Sequence, residues 1–162
     1  MKKMAVFVDV QNIYYTVKDT FGCNFNYRKL WDKLSADGEI VVANAYAIDR
    51  NDPQQRGFQK ALDAIGFNVK LKPFIQRSDG SAKGDWDAGI AIDVMDSVTA
   101  IKEPIDTVVL LSGDGDFDRL LTRVSQSNKV ETVIYGVEAL TAKSLIDAAD
   151  IFEPIDENLL LK

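Results

Sequence analysis

Short apolar runs alternate along the chain with stretches in which apolar residues recur every three or four positions. AVFVDV (5–10) is a nearly continuous apolar run broken only by Asp9, the pattern of a strand buried on both faces of a parallel sheet. IVVANAYAI (40–48), FNVKLKPF (67–74), TVVLLS (107–112) and ETVIYG (131–136) read the same way. IFEPI (151–155) adds a short edge strand, because Pro154 has no N–H to give to a sheet interior.

The intervening stretches predict helices from Asn12 to about Lys18 and from Tyr27 to about Ser35, then from Gln54 to Ile65 with Gly66 as its C-terminal stop. Three more are expected over 86–101, 117–127 and 141–149. RSDGSAKG (77–84) reads as a loop of low hydrophobicity. Strands alternating with helices predict an α/β fold, a three-layer α/β/α sandwich around a mostly parallel sheet of five to six strands. Residues 1–162 are expected to form one domain. In such sheets ligands bind beyond the carboxyl ends of the strands, where the strand order reverses. With the order 3-2-1-4-5, the first and fourth strands are neighbours. Asp9 and the segment from Ser112 to Asp116 then meet at one crevice.

Composition narrows the chemistry that this crevice can host. The chain has no histidine, which excludes Ser-His-Asp and Cys-His catalysis and any histidine metal ligand. Cys23 stands alone, so there is neither an internal disulfide nor a cysteine zinc site. Hydrolysis would have to rely on carboxylates, lysines and metal ions. No apolar run approaches the ~18 residues that span a bilayer. The opening MKKMAVFVDV is interrupted at Asp9 and has no small-residue cleavage site, so it is a strand rather than a leader, and a cytoplasmic protein is expected. Within a net charge of −6, residues 50–83 hold seven basic against three acidic side chains, a local +4. Such asymmetry suits a basic binding face, and equally a solvated surface of scattered charge.

The carboxylates are concentrated where the topology would place a ligand. LLSGDGDFDRLL (110–121) carries three aspartates directly after the fourth strand. Asp and Gly are good turn and cap residues, so turn chemistry alone accounts for the composition. In KGDWDAGIAIDVMDSVTAI (83–101), helical projection from Trp86 puts Ile90, Ile101, Val94, Val98 and Ala91 at roughly 40°, 60°, 80°, 120° and 140°. Asp87 falls at roughly 100°, within that apolar stripe and in the first turn. An inward carboxylate is costly unless it is compensated by the helix dipole, by solvent or by a cation. On these residues alone, a solvated helix-start Asp and a metal ligand stand level. Asp93 lies near the stripe's edge, about 9 Å further along the axis, which favours a hydrogen bond to a neighbouring element over a shared metal. Asp9, Asp87, Asp114 and Asp116 form an oxygen-only set suited to Mg or Mn. Asn12 either orients a ligand or caps its helix. Arg77, Lys83 and Lys72 are candidate phosphate contacts, and Tyr14, Tyr15 and Trp86 are candidate stacking or core aromatics.

DVQN (9–12), KGDWDAGIAIDVMD (83–96), SGDGDF (112–117) and SLIDAADIF (144–152) together resemble the NYN domain in its LabA-like branch, within the PIN-like ribonuclease superfamily. The resemblance covers nearly the whole chain. It implies a PIN-like sandwich and metal-dependent cleavage of RNA, with Asp9, Asp87, Asp114 and Asp116 as the Mg- or Mn-binding and water-activating cluster and Asn12 beside them. Asp93 matches an aspartate often found in this branch. RNA is the implied partner, and a homo-oligomer is left open. A non-catalytic RNA-binding or regulatory module on the same fold is the alternative. A haloacid-dehalogenase-like phosphatase is a further one, because Gly113, Asp114 and Asp118 satisfy GDxxxD. Gln11, however, stands where that family carries its second aspartate.

Overall fold

The computed structural model describes residues 2–73, 75–76, 82–83 and 86–161, without the side chains of 73, 75, 76, 82 and 83. Six strands of the central sheet are β1 (Lys3–Asp9), β2 (Glu39–Asp49), β3 (Asn68–Pro73), β4 (Thr107–Leu111), β5 (Glu131–Gly136) and β6 (Ile151–Pro154). Their order is β3-β2-β1-β4-β5-β6, with every neighbouring pair parallel. The expected 3-2-1-4-5 order therefore holds, and the short sixth strand extends the sheet beyond β5. Phe74, Arg77 and most of the stretch 77–84 read as a loop lie outside the described residues, but Ala82–Lys83 form a short strand antiparallel to Ile75–Gln76.

Six helices follow: α1 (Val10–Phe21), α2 (Tyr27–Asp37), α3 (Pro53–Ile65), α4 (Asp87–Thr99), α5 (Asp118–Ser127) and α6 (Lys143–Ala148). Alternation along the strands sorts the core into two layers. Met4, Val6, Val8, Val109 and Leu111 pack with Ile13 and Val17 of α1, Leu30 and Leu34 of α2, and Leu62 of α3. Ala5, Phe7, Val108 and Leu110 pack on the other face with Ile90 and Val94 of α4, Leu121 and Val124 of α5, and Leu145 of α6. Successive strand side chains point to opposite faces, so β4, buried throughout, and β1, buried from Met4 to Val8, need a helix layer on each side.

Local chemistry sets the helix ends. Asp9 Oδ1 accepts the Asn12 N–H at 3.4 Å and starts α1, and Gly22, at φ 71°, ends it. Val10, read above as the last residue of a strand, is instead the first residue of α1, because the Asp9 cap turns the chain there. Asn26 caps α2 and Asp52 caps α3, where Pro53 occupies the first helical position. α4 ends at Thr99, so Ile101 falls past the apolar stripe assigned to it and stands 93% exposed. No helix among the described residues is long and apolar enough to cross a membrane.

Candidate metal centre

The strand register brings the acidic segments together. β1 pairs with β4 from Met4↔Thr107 to Val8↔Leu111, so the next step sets Asp9 beside Ser112 at the carboxyl edge. Ser112 is fully buried there, and its Oγ donates to Asp9 Oδ2 at 3.2 Å. The same Oγ accepts the Asp114 N–H at 3.1 Å. Asn12 Oδ1 accepts the Gly113 N–H at 2.8 Å. One turn of α1 and the loop after β4 are thus locked together by side chains that need to be polar and short.

The loop continues as a 3-10 turn, Gly115–Phe117, whose first residue is preceded by Asp114 as its cap. Asp114 Oδ1 accepts the Asp116 N–H at 2.9 Å, and Phe117 anchors the turn in the core beneath α4. Gly113 carries no Cβ for a packing reason: one would sit 2.7 Å from the Leu140 carbonyl oxygen, in the segment that follows β5. That segment is tied back by the Ala142 N–H to the Gly113 carbonyl at 3.0 Å.

The outcome is a cluster. Asp87, in the first turn of α4, and Asp114 and Asp116 each present a carboxylate oxygen within 4.8 Å of the others. Asp87 and Asp114 are half-buried and Asp116 is exposed. Three like charges this close repel unless a cation neutralises them, and an oxygen-only donor set of this kind suits Mg or Mn. The residues present therefore fit a hard divalent ion. Asp9 is not a member of this three-residue group. It lies next to it through Ser112, and its charge reaches inward: burial first, and the Asp9 carboxylate second, push the Tyr27 phenol far above its ordinary value. Ser112 is the residue that sequence patterning missed. Its only signal was a small polar side chain directly after a buried strand.

Asp93 takes the role predicted for it, a hydrogen bond to neighbouring elements. Its Oδ2 accepts from Tyr46 OH at 2.7 Å and from Lys70 Nζ at 2.8 Å. Asn44 Nδ2 donates in turn to the Tyr46 oxygen at 3.1 Å. Lys70, Tyr46 and Asp9 stand in one register row across β3, β2 and β1. The network pins α4, and with it Asp87, to two strands. Trp86, just before α4, donates its indole N–H to the Ala47 carbonyl at 2.9 Å and packs on Tyr46. It is a packing residue rather than a free stacking platform. Lys72 lies over the Trp86 ring at 4.5 Å. Arg77 and the Lys83 side chain lie outside the described residues. Tyr14 and Tyr15 on α1 are each half exposed and form an edge-to-face pair.

Burial pushes the Tyr46 phenol up, and the bond to Asp93 pushes it further. For Asp93, burial raises the carboxyl, but the Lys70 and Tyr46 hydrogen bonds outweigh it and hold the group below its ordinary range. A depressed carboxyl stabilises the fold at pH above its unfolded value of about 3.9, and that contribution is lost as pH falls through the folded value. We predict that Asp93→Asn is destabilising at about pH 6 and that the difference from wild type narrows towards about pH 3 in urea melts. An equal penalty at both pH values would contradict this account.

Comparison with known proteins agrees with the fold. The family model described as NYN domain matches residues 3–156. The protein "Low amplitude and bright protein LabA" of Synechococcus elongatus is 30% identical over 163 residues, covering 96% of this chain and 84% of that protein. The crystal structure of a protein of unknown function from Vibrio parahaemolyticus superposes with a TM-score of 0.91 at 48% identity, covering 99% of this chain and 96% of that one.

Proposed function

The chain belongs to the NYN domain family, and from that membership we propose that it is a ribonuclease that uses an aspartate-held Mg or Mn ion to hydrolyse RNA phosphodiester bonds. The observation that carries this reading is the convergence of Asp87, Asp114 and Asp116 within 4.8 Å at the sheet's carboxyl edge. Family membership also displaces the phosphatase alternative, whose first motif Gln11 already failed to meet.

When bound, the ion would supply stabilisation of charge on the phosphate and activation of the attacking water. Asp87, Asp114 and Asp116 would hold it. Asp9, which accepts a hydrogen bond from Ser112 beside the cluster, would take the proton of the attacking water. Asn12 and Ser112 keep the loop after β4 in register with α1, so the carboxylates converge without rearrangement. The protein is expected to act on RNA in the cytoplasm.

The test is cleavage of a labelled single-stranded RNA by the purified protein. We predict cutting in Mn that chelation abolishes and added Mn restores. Asp9→Asn keeps a side-chain oxygen for the α1 cap yet removes the charge, so cutting should fall by about 100-fold or more with the circular dichroism spectrum unchanged. Wild-type rates in that variant would refute the role given to Asp9. RNA bound in Mn but never cut would instead establish the non-catalytic binding module.

A further inference from the structure

An open groove runs from the acidic cluster along the outer face of α5, bounded by α6 and by Ala91 of α4. Asp116 lies at its head. Arg119 and Arg123 line its wall, and Ser144 and Asp147 of α6 lie opposite. We propose that this groove is the track of the RNA strand on one side of the scissile bond, with Arg119 and Arg123 holding successive backbone phosphates. This rests on the ribonuclease reading and adds to it the path of the substrate.

Three observations carry the assignment. First, α5 starts at Asp118, directly after the turn that holds Asp114 and Asp116. Arg119 is therefore in the first turn beyond the cluster, and Arg123 is one turn further along the same face. Their separation along the axis is about 6 Å, on the scale of neighbouring phosphates in an extended strand. Second, both arginines are exposed, and neither forms an ion pair among the described residues. An arginine fork without a carboxylate partner is a bidentate phosphate donor ready for use. Third, two of the three acidic residues of the groove have partners or tasks of their own. Asp147 pairs with Lys143 at 3.5 Å, and Asp116 belongs to the cation-binding cluster. With an ion in place, two guanidinium groups line the groove and Asp118 is its remaining acidic residue. A protein of net charge −6 would thus draw RNA to one channel rather than to its whole surface.

The experiment measures anisotropy of a fluorescent single-stranded RNA oligonucleotide in calcium, over a salt series, for the wild type and for Arg119→Gln/Arg123→Gln. A matched control, Lys18→Gln/Lys29→Gln, removes two exposed charges from α1 and α2 on the opposite layer. The groove variant should bind about tenfold more weakly or worse. Its slope of log affinity on log salt should fall by about 1.4, the loss of two single-strand phosphate contacts. The control should bind as wild type does, and manganese affinity should be the same in all three. Unchanged RNA affinity and slope in the groove variant, with RNA still cut by the wild type, would overturn the track alone and leave the groove to an acidic protein or to no ligand. A wild type that neither binds nor cuts RNA would overturn the track and the ribonuclease reading together.

Discussion

Asp114→Asn is expected to melt higher than the wild type in chelator and to gain nothing from manganese. The direction follows from the cluster itself. Without an ion, Asp87, Asp114 and Asp116 crowd three carboxylate oxygens within 4.8 Å, a repulsion that the folded state alone must carry. Asparagine removes one charge but keeps the oxygen that accepts the Asp116 N–H, so the 3-10 turn survives. With an ion, the wild type should gain about 2.7 kcal/mol at a metal concentration a hundredfold above Kd. For a chain of this size that is a rise in Tm of about 5–10 °C. Thermal melts of both proteins in chelator and in Mn give all four numbers. A manganese-induced rise of equal size in both would mean that Asp114 is not a ligand.

The second large effect concerns the side chain that holds the turn. Phe117 is 2% exposed and packs in the layer that also contains Ile90 and Val94 of α4. Phe117→Ala should cost about 3–5 kcal/mol through lost burial and the cavity left behind. It should also weaken manganese binding, because the turn that presents Asp114 and Asp116 loses its anchor. Phe67→Ala supplies the contrast. Phe67 is equally buried but lies in the opposite layer against Trp31 and Tyr27. It should lose comparable stability and keep its metal affinity. Urea melts together with a manganese titration below the transition separate the two. If both variants lost metal affinity alike, global loosening would explain it and the anchoring role would fail.

Much of the architecture was legible because buried parallel strands have a simple signature, an apolar run bounded by polar residues. That signature stops where identity and conformation part. Val10 is apolar and contiguous with β1, yet it begins α1, since the Asp9 side chain closes the strand. Ile101 matches the helical period, yet it lies beyond the helix end and is solvated. Asp87 was legible from periodicity, being a charged side chain on an apolar stripe. The partners of Asp93 were not, because Lys70 and Tyr46 come from strands 23 and 47 residues away, and no local pattern encodes that pairing. The hydrogen bond from Ser112 to Asp9 was hidden for a related reason, although the two segments were expected to meet at one crevice. That bond depends on the β1–β4 register, which exists only after the strands have met, whereas its bond from the Asp114 N–H is local to the loop. The groove along α5 likewise requires α6 beside it, which spacing within α5 cannot reveal.

The position of β1 between β2 and β4 bears on when the acidic centre can exist at all. β4 comes to rest on a strand about a hundred residues upstream, and α4 packs on that same strand. Asp9 and Ser112, 103 positions apart, touch only once that long closure is complete. Pairings of such sequence separation form slowly compared with local helices. A growing or partly folded chain therefore has helices, and even its first sheet pair, well before it has a site. Any ion held there would then report on the finished sheet, and the proposed activity would be withheld from an incomplete chain by its own topology.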